Sequence, residues 1–217
     1  MTSAISLQEV LARDPVIGKF VDRSLTPPSP FRGVGPIRLV VLGQDPTVKR
    51  EGSRGAITTV LNLDRPGSLR RYLEQLCTAL GLSLDADVYA TNYANVFFRV
   101  PPASLKDPDI LGVAKRHCLP HLLAELRPFS DVPILSLGEP LLRQIATGSA
   151  PCKVREYWGF DPRWKRGETR ALAHLPAGQN TLTREVFPFP HQPSANKAFY
   201  SGRLARYLAY MRSECSS

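Results

Sequence analysis

The chain has 217 residues and 43% apolar content, enough for one large α/β domain with a sizeable core and contrary to a disordered chain. Lys and Arg number 28 against 19 Asp and Glu, a formal charge of +9 that favours polyanions such as nucleic acid or an acidic membrane face. No apolar run approaches the ~20 residues that cross a bilayer, and Met1 to Phe20 lacks the basic start and apolar core of a signal peptide, so a cytoplasmic protein without a membrane span is expected.

The predicted elements follow in chain order. Ser6 is a helix N-cap before Leu7-Gln8-Glu9-Val10-Leu11, which predicts a short leading helix. Pro27, Pro28, Pro30 and Pro36 mark a rigid loop. Ile37 to Leu42 is a continuous apolar run, the pattern of a strand buried on both faces. Gly43 to Arg54 is polar and reads as the loop beyond it. Ala56 to Leu63 is a second apolar, β-rich run. Leu69, Leu73, Leu76 and Leu80 repeat at helical spacing, and Gly81 ends that helix. Val88 to Asn92 reads as a strand. A helix over 109–126 follows, with Pro120 as a kink or break. Val132 to Leu137 is another buried strand, and Gly138 leads into a helix over 140–146. Ala171 to Leu175 and Thr183 to Phe187 are candidates for two more strands, and 198–211 closes the chain as a helix. Strands alternate with helices, so a three-layer α/β/α domain spanning residues 1–217, with a central mostly parallel sheet, is expected.

Cys77, Cys118, Cys152 and Cys215 are widely separated and form no Cys-x-x-Cys pair, which argues against a local zinc or iron–sulfur framework. His117 and His121 are four apart, a zinc-compatible spacing, but Pro120 disturbs the helix and no acidic partner is adjacent. Ser136 and Ser194 lack a Gly-x-Ser-x-Gly elbow. The glycines of 43–55 lead to no Gly-Lys-Ser/Thr ending.

Two polar stretches carry the chemistry. Val40-Val41-Leu42-Gly43-Gln44-Asp45-Pro46 is an apolar run that stops at a carboxylate. Phe187-Pro188-Phe189-Pro190-His191-Gln192-Pro193-Ser194 stops at an imidazole. Ligands of open α/β sheets bind beyond the carboxyl ends of the strands. An Asp and a His presented there make a site for general-base and electrostatic catalysis. Taken singly, Asp45 fits a turn residue and His191 a satisfied loop histidine.

Gly43-Gln44-Asp45-Pro46 resembles motif A of the uracil-DNA glycosylase superfamily. His191-Gln192-Pro193-Ser194 resembles its motif B, His-Pro-Ser, with one glutamine inserted. Tyr89-Ala90-Thr91-Asn92, followed by Arg99-x-Pro101-Pro102, resembles the segment that bears the family's pocket asparagine. Ile134 to Gly138 fits its later strand and glycine turn. These elements stand in family order over residues 37–212.

The resemblance implies hydrolysis of the N-glycosidic bond of uracil in DNA, as a monofunctional base-excision repair enzyme that flips its base, needs no metal or organic cofactor, and works as a monomer. It implies catalytic roles for Asp45 and His191, and pocket roles for Gln44, Thr47 and Asn92, with Asn95 as a competitor for Asn92. Thr47 stands where the strict branch has a tyrosine that blocks thymine's methyl, so tolerance of other damaged bases is expected. The family's stacking phenylalanine falls at Thr58; either no stacker is present or Tyr93 or Phe97 replaces it. Neither Lys49 nor Lys197 is clearly set for a Schiff base. DNA contacts fall to Ser194, Asn196, Lys197 and Arg203, with Asn196, Lys197 or Phe199 as the wedge into the duplex. The basic, aromatic stretch 152–170 (Lys153, Arg155, Arg163, Lys165, Arg166 and Arg170 around Trp158 and Trp164) is either a nucleic-acid face or tryptophan core with solvated arginines. Alternatives are a non-catalytic relative that holds damaged or abasic DNA, and an unrelated small-molecule hydrolase.

Overall fold

The computed structural model describes residues 5–105, 109–161 and 170–215. Its sheet contains β1 (Phe31–Arg32), β2 (Leu39–Gly43), β3 (Val88–Asn92), β4 (Ile134–Leu137) and β5 (Val186–Phe189), in the order β1-β3-β2-β4-β5. β2 to β5 are mutually parallel, and β1 is antiparallel to β3. Every residue of the four parallel strands is buried, which is why they read as near-continuous apolar runs. β5 carries Pro188 because it is an edge strand, where a missing N–H breaks no ladder bond.

The helices are α1 (Leu7–Ala12), α2 (Ser68–Ala79), α3 (Leu84–Asp87), α4 (Ile110–Leu126), α5 (Glu139–Ile145), α6 (Val154–Tyr157), α7 (Gln192–Ala195), α8 (Ala198–Ser201) and α9 (Leu204–Cys215). The chain crosses the sheet one way from β2 through α2 to β3, and the other way from β3 through α4 to β4. Right-handed crossovers then put α2 and α4 on opposite faces. The contacts agree: α2 packs with α7 and α9, α4 with α1 and α5. The expected three-layer α/β/α architecture is therefore present.

Local chemistry sets the ends of these elements. Ser6 and Glu9 form a reciprocal capping box at α1. Gly81, at φ +72°, closes α2, and the N–H of Leu82 returns to the Cys77 carbonyl at 2.8 Å, a Schellman turn. The carboxylate of Asp14, just beyond α1, is buried. It accepts from Arg116 and lies 3.0 Å from Nε2 of His117, both on α4, and accepts from the N–H groups of Val16 and Ile17. Burial alone would raise its pKa, but these partners outweigh it and hold the carboxyl well below the usual range.

Four expectations need correction. Ala56 to Leu63 is not a strand: Ile57 and Thr59 are extended but supply only an isolated bridge, Thr59 to Ser29, before a 3-10 turn over 60–62 with Leu61 and Asn62 at positive φ. Ala171 to Leu175 supplies only an isolated bridge from Leu175 to Val186. The closing helix is divided into α8 and α9 around Gly202 and Arg203. α4 runs through Pro120 without a break. Trp158 is core: fully buried, it stacks on Tyr207 and donates Nε1–H to the Pro188 carbonyl at 2.8 Å. Arg155 lies over the Phe160 ring, and Arg170 faces Glu156. Arg163, Trp164, Lys165 and Arg166 lie outside the described residues.

Candidate active site

β2 ends at Gly43, in the middle of the parallel strands, and the chain turns through Gln44 and Asp45. This turn is strapped to the segment leaving β3. Tyr93 N–H donates to the Gly43 carbonyl at 2.8 Å, and Ala94 N–H to that of Gln44 at 2.9 Å. Thr47 is buried and works in both directions: its N–H donates to Asp45 Oδ1 at 2.8 Å, and its hydroxyl accepts from Phe98 N–H at 2.8 Å. Arg54, also buried, donates to the carbonyls of Val48 and Arg99 at 3.0 and 2.8 Å, tying the same two loops together.

β5 lies two strands away from β2, roughly 10 Å at the usual interstrand spacing. Its exit presents His191, whose carbonyl receives the N–H of Ser194 at 2.7 Å as α7 begins. Gly138, at φ +91°, lets the β4 turn pass close behind: a Cβ there would stand 3.6 Å from His191 Cβ. Tyr72 of α2 donates its hydroxyl toward the Pro190 carbonyl at 3.4 Å.

Asp45 and His191 line one cavity of about 340 Å³. Its other walls are the loop Pro46 to Val48, the turn bearing Ile57, Leu61 and Asn62, and the first turn of α2 with its approach, Pro66 to Arg70. Such a volume falls in the range of small-ligand pockets. The amino end of α2 favours negative charge there. A second hollow of about 290 Å³ shares His191 and is lined by Ser194, Lys197, Tyr200 and Glu139. A larger hollow, about 580 Å³, opens at the other end of the sheet among His174, Glu185 and residues preceding β4 and β5. Its histidine is already engaged by Glu185 and Tyr210.

The electrostatics distinguish the two reactive groups. Desolvation dominates at Asp45 and pushes its pKa up to about 6, against the opposing hydrogen bonds from Thr47 and Gln44 and the charge of Arg54. Gln44 Nε2 donates to Asp45 Oδ2 at 2.7 Å. The carboxylate is therefore ionised at neutral pH and poised to take a proton. Desolvation lowers the pKa of His191 and so favours the neutral ring, which has one N–H to donate.

The remaining expected residues divide. Thr47 lines the cavity; Gln44 reaches it through Asp45. Asn92 is buried at the end of β3 beside Gly43, and its Nδ2 donates to Asn95 Oδ1 at 3.2 Å. Asn95 is itself anchored to the Pro28 carbonyl. Thr58 is not brought to the cavity: it is exposed and donates to Asp64 at 3.1 Å, while its neighbours Ile57 and Leu61 face the space. Tyr93 and Phe97 are buried in the core and line none of it, so neither replaces the stacker. Ser194 and Lys197 stand by His191, and Asn196 is exposed. Phe199 is partly buried against the core, and the Arg203 guanidinium lies over its ring at 4.2 Å.

Sequence reasoning missed Ile57, Leu61 and the α2 approach. In the sequence, Pro66-Gly67-Ser68 is a turn signal, but nothing in it places that turn beside the β2 exit. Among the described residues, no group of three or more His, Cys, Asp or Glu side chains could hold a metal ion, and no helix is long and apolar enough to cross a membrane. The chain matches no protein-family model and no curated protein, so its functional reading rests on this site.

Proposed function

We propose that this protein hydrolyses the N-glycosidic bond of uracil in DNA and leaves an abasic site. The observation that carries the reading is the shared cavity of Asp45 and His191, delivered by strands far apart in sequence to the carboxyl edge of one parallel sheet. The motif order described above supplies the substrate.

Cleavage leaves an electron-poor sugar and an anionic base. The Asp45 carboxylate stabilises the developing positive charge and orients the attacking water. The neutral His191 ring donates a hydrogen bond to the base oxygen as negative charge collects there, and the amino end of α2 adds favourable potential. The nucleotide must leave the duplex stack to reach a cavity at this depth. Lys49, Arg50 and Lys197 are exposed on the loops beside it, suited to the phosphate backbone.

A gel assay with uracil-containing oligonucleotide, followed by alkali, tests the reading. Alkali-labile cleavage at uracil that falls steeply with salt supports it. Intact strands from the wild-type protein refute it. DNA binding without cleavage, unchanged by Asp45→Asn, would instead identify a damaged-DNA binder.

A further inference from the structure

Asn92 carries a buried carbonyl, Oδ1, to which no described residue donates. Such a group is costly when left unpaired in the interior, so its retention calls for a reason. Its orientation is fixed. The amide nitrogen is held by Asn95 Oδ1, and Asn95 is tethered to the Pro28 carbonyl at 2.8 Å. Turning the amide over would set two oxygens against each other. Asn92 therefore presents an acceptor toward Gly43 and Leu61.

Leu61 neighbours that acceptor across Gly43. A Cβ on Gly43 would stand 2.4 Å from Asn92 Oδ1 and 2.9 Å from Leu61 Cδ2, so the oxygen and the methyl both border the bare backbone of Gly43. Leu61 also lines the cavity of Asp45 and His191, which Asn92 does not. It is held at φ 57°, followed by Asn62 at φ 58°. That region disfavours L side chains other than Asn and Asp, so the leucine occupies its place at a backbone cost.

We infer that Leu61 is a specificity-determining gate between the catalytic cavity and the Asn92 carbonyl, displaced only by a base that presents a ring N–H to that oxygen. The inference rests on the glycosylase reading and deepens it. Uracil, thymine, guanine and hypoxanthine carry such a ring N–H; cytosine and adenine offer only an exocyclic amine beside an unprotonated ring nitrogen, so the gate sorts by the ring position and leaves the 5-methyl and purine size to the cavity walls. A closed gate lowers apparent affinity by the fraction of molecules that are open.

The test is binding of free uracil to the full-length protein by calorimetry, beside the excision assay. Leu61→Gly suits the left-handed backbone and is expected to bind free uracil about tenfold more tightly than wild type. Leu61→Asn, also tolerant of that backbone, repeats the measurement should the glycine variant melt early. Adding Asn92→Leu to Leu61→Gly should abolish the gain, a result that a merely structural leucine would not produce. Folded Leu61 variants that bind uracil within twofold of wild type, in a protein that excises uracil, overturn the gate alone. A wild type that excises no uracil overturns the reading beneath it.

Discussion

Asp14 and Asp45 are two carboxylates drawn into the same fold, and their surroundings treat them in opposite ways. Asp14 meets Arg116, His117 and two backbone N–H groups, and its proton affinity collapses. Asp45 meets only neutral donors, Gln44 and Thr47, with Arg54 more remote, and desolvation prevails. The first joins α1 to α4 as a permanent charge. The second is kept costly to ionise, which is what a proton acceptor requires. Burial alone therefore assigns neither role; the charge of the partners decides it.

The largest expected effect separates activity from folding. Asp45→Asn should reduce uracil excision about a thousandfold or more, the scale of losing one electrostatic element of an active site. The same variant should be at least as stable as wild type in urea at pH 7, because it removes a carboxylate that folding desolvates. Asp14→Asn should show the reverse: a loss of about 3 kcal/mol in urea, from breaking a buried charge cluster, with excision per folded molecule unchanged.

Varying the pH sharpens the contrast. The proposed excision uses ionised Asp45, so kcat/KM should fall about tenfold per unit below the group's value of about 6. Stability carries two opposing signs. Because the pKa of Asp45 is raised on folding, stability declines as pH climbs from its ordinary 3.8 through about 6, and the advantage of Asp45→Asn should emerge over that interval. The pKa of Asp14 is depressed, so its contribution is complete above its ordinary 3.8 and is lost as pH falls toward the folded value. Urea titrations at pH 3, 5 and 7 distinguish the two. The smallest effect belongs to Gly43→Ala, whose methyl would meet Asn92 Oδ1. It should cost about 1–3 kcal/mol and weaken excision through displacement of the amide, read by the same two assays.

Much of this arrangement was legible beforehand. β2 and β3 are runs with a single satisfactory environment, buried on both faces, and their ends bring Asp45 and Asn92 to the same edge. The errors have a common origin in tertiary context. Ile57-Thr58-Thr59-Val60 has strong strand composition, yet it finds only Ser29 to pair with before the positive φ at Leu61 and Asn62 turns the chain, and Thr58, the position counted from Asp45, is left on the outside. Nothing near Leu61 in the sequence signals that it comes to border Gly43 beside the Asn92 amide. Asp14 carried no local sign of its role either, because Arg116 and His117 reach it only after α1 and α4 have packed.

The prolines of the final strand have an effect beyond breaking a pattern. Pro188 and Pro190 remove N–H donors from the rim of the sheet, and their carbonyls are taken by Trp158 and Tyr72. Val186 exchanges both of its backbone bonds with Leu175. An incoming chain thus finds no ladder to extend, and the border is closed chemically. The scaffold leading to His191 resists strand addition and slippage while the adjacent cavity mouth stays open.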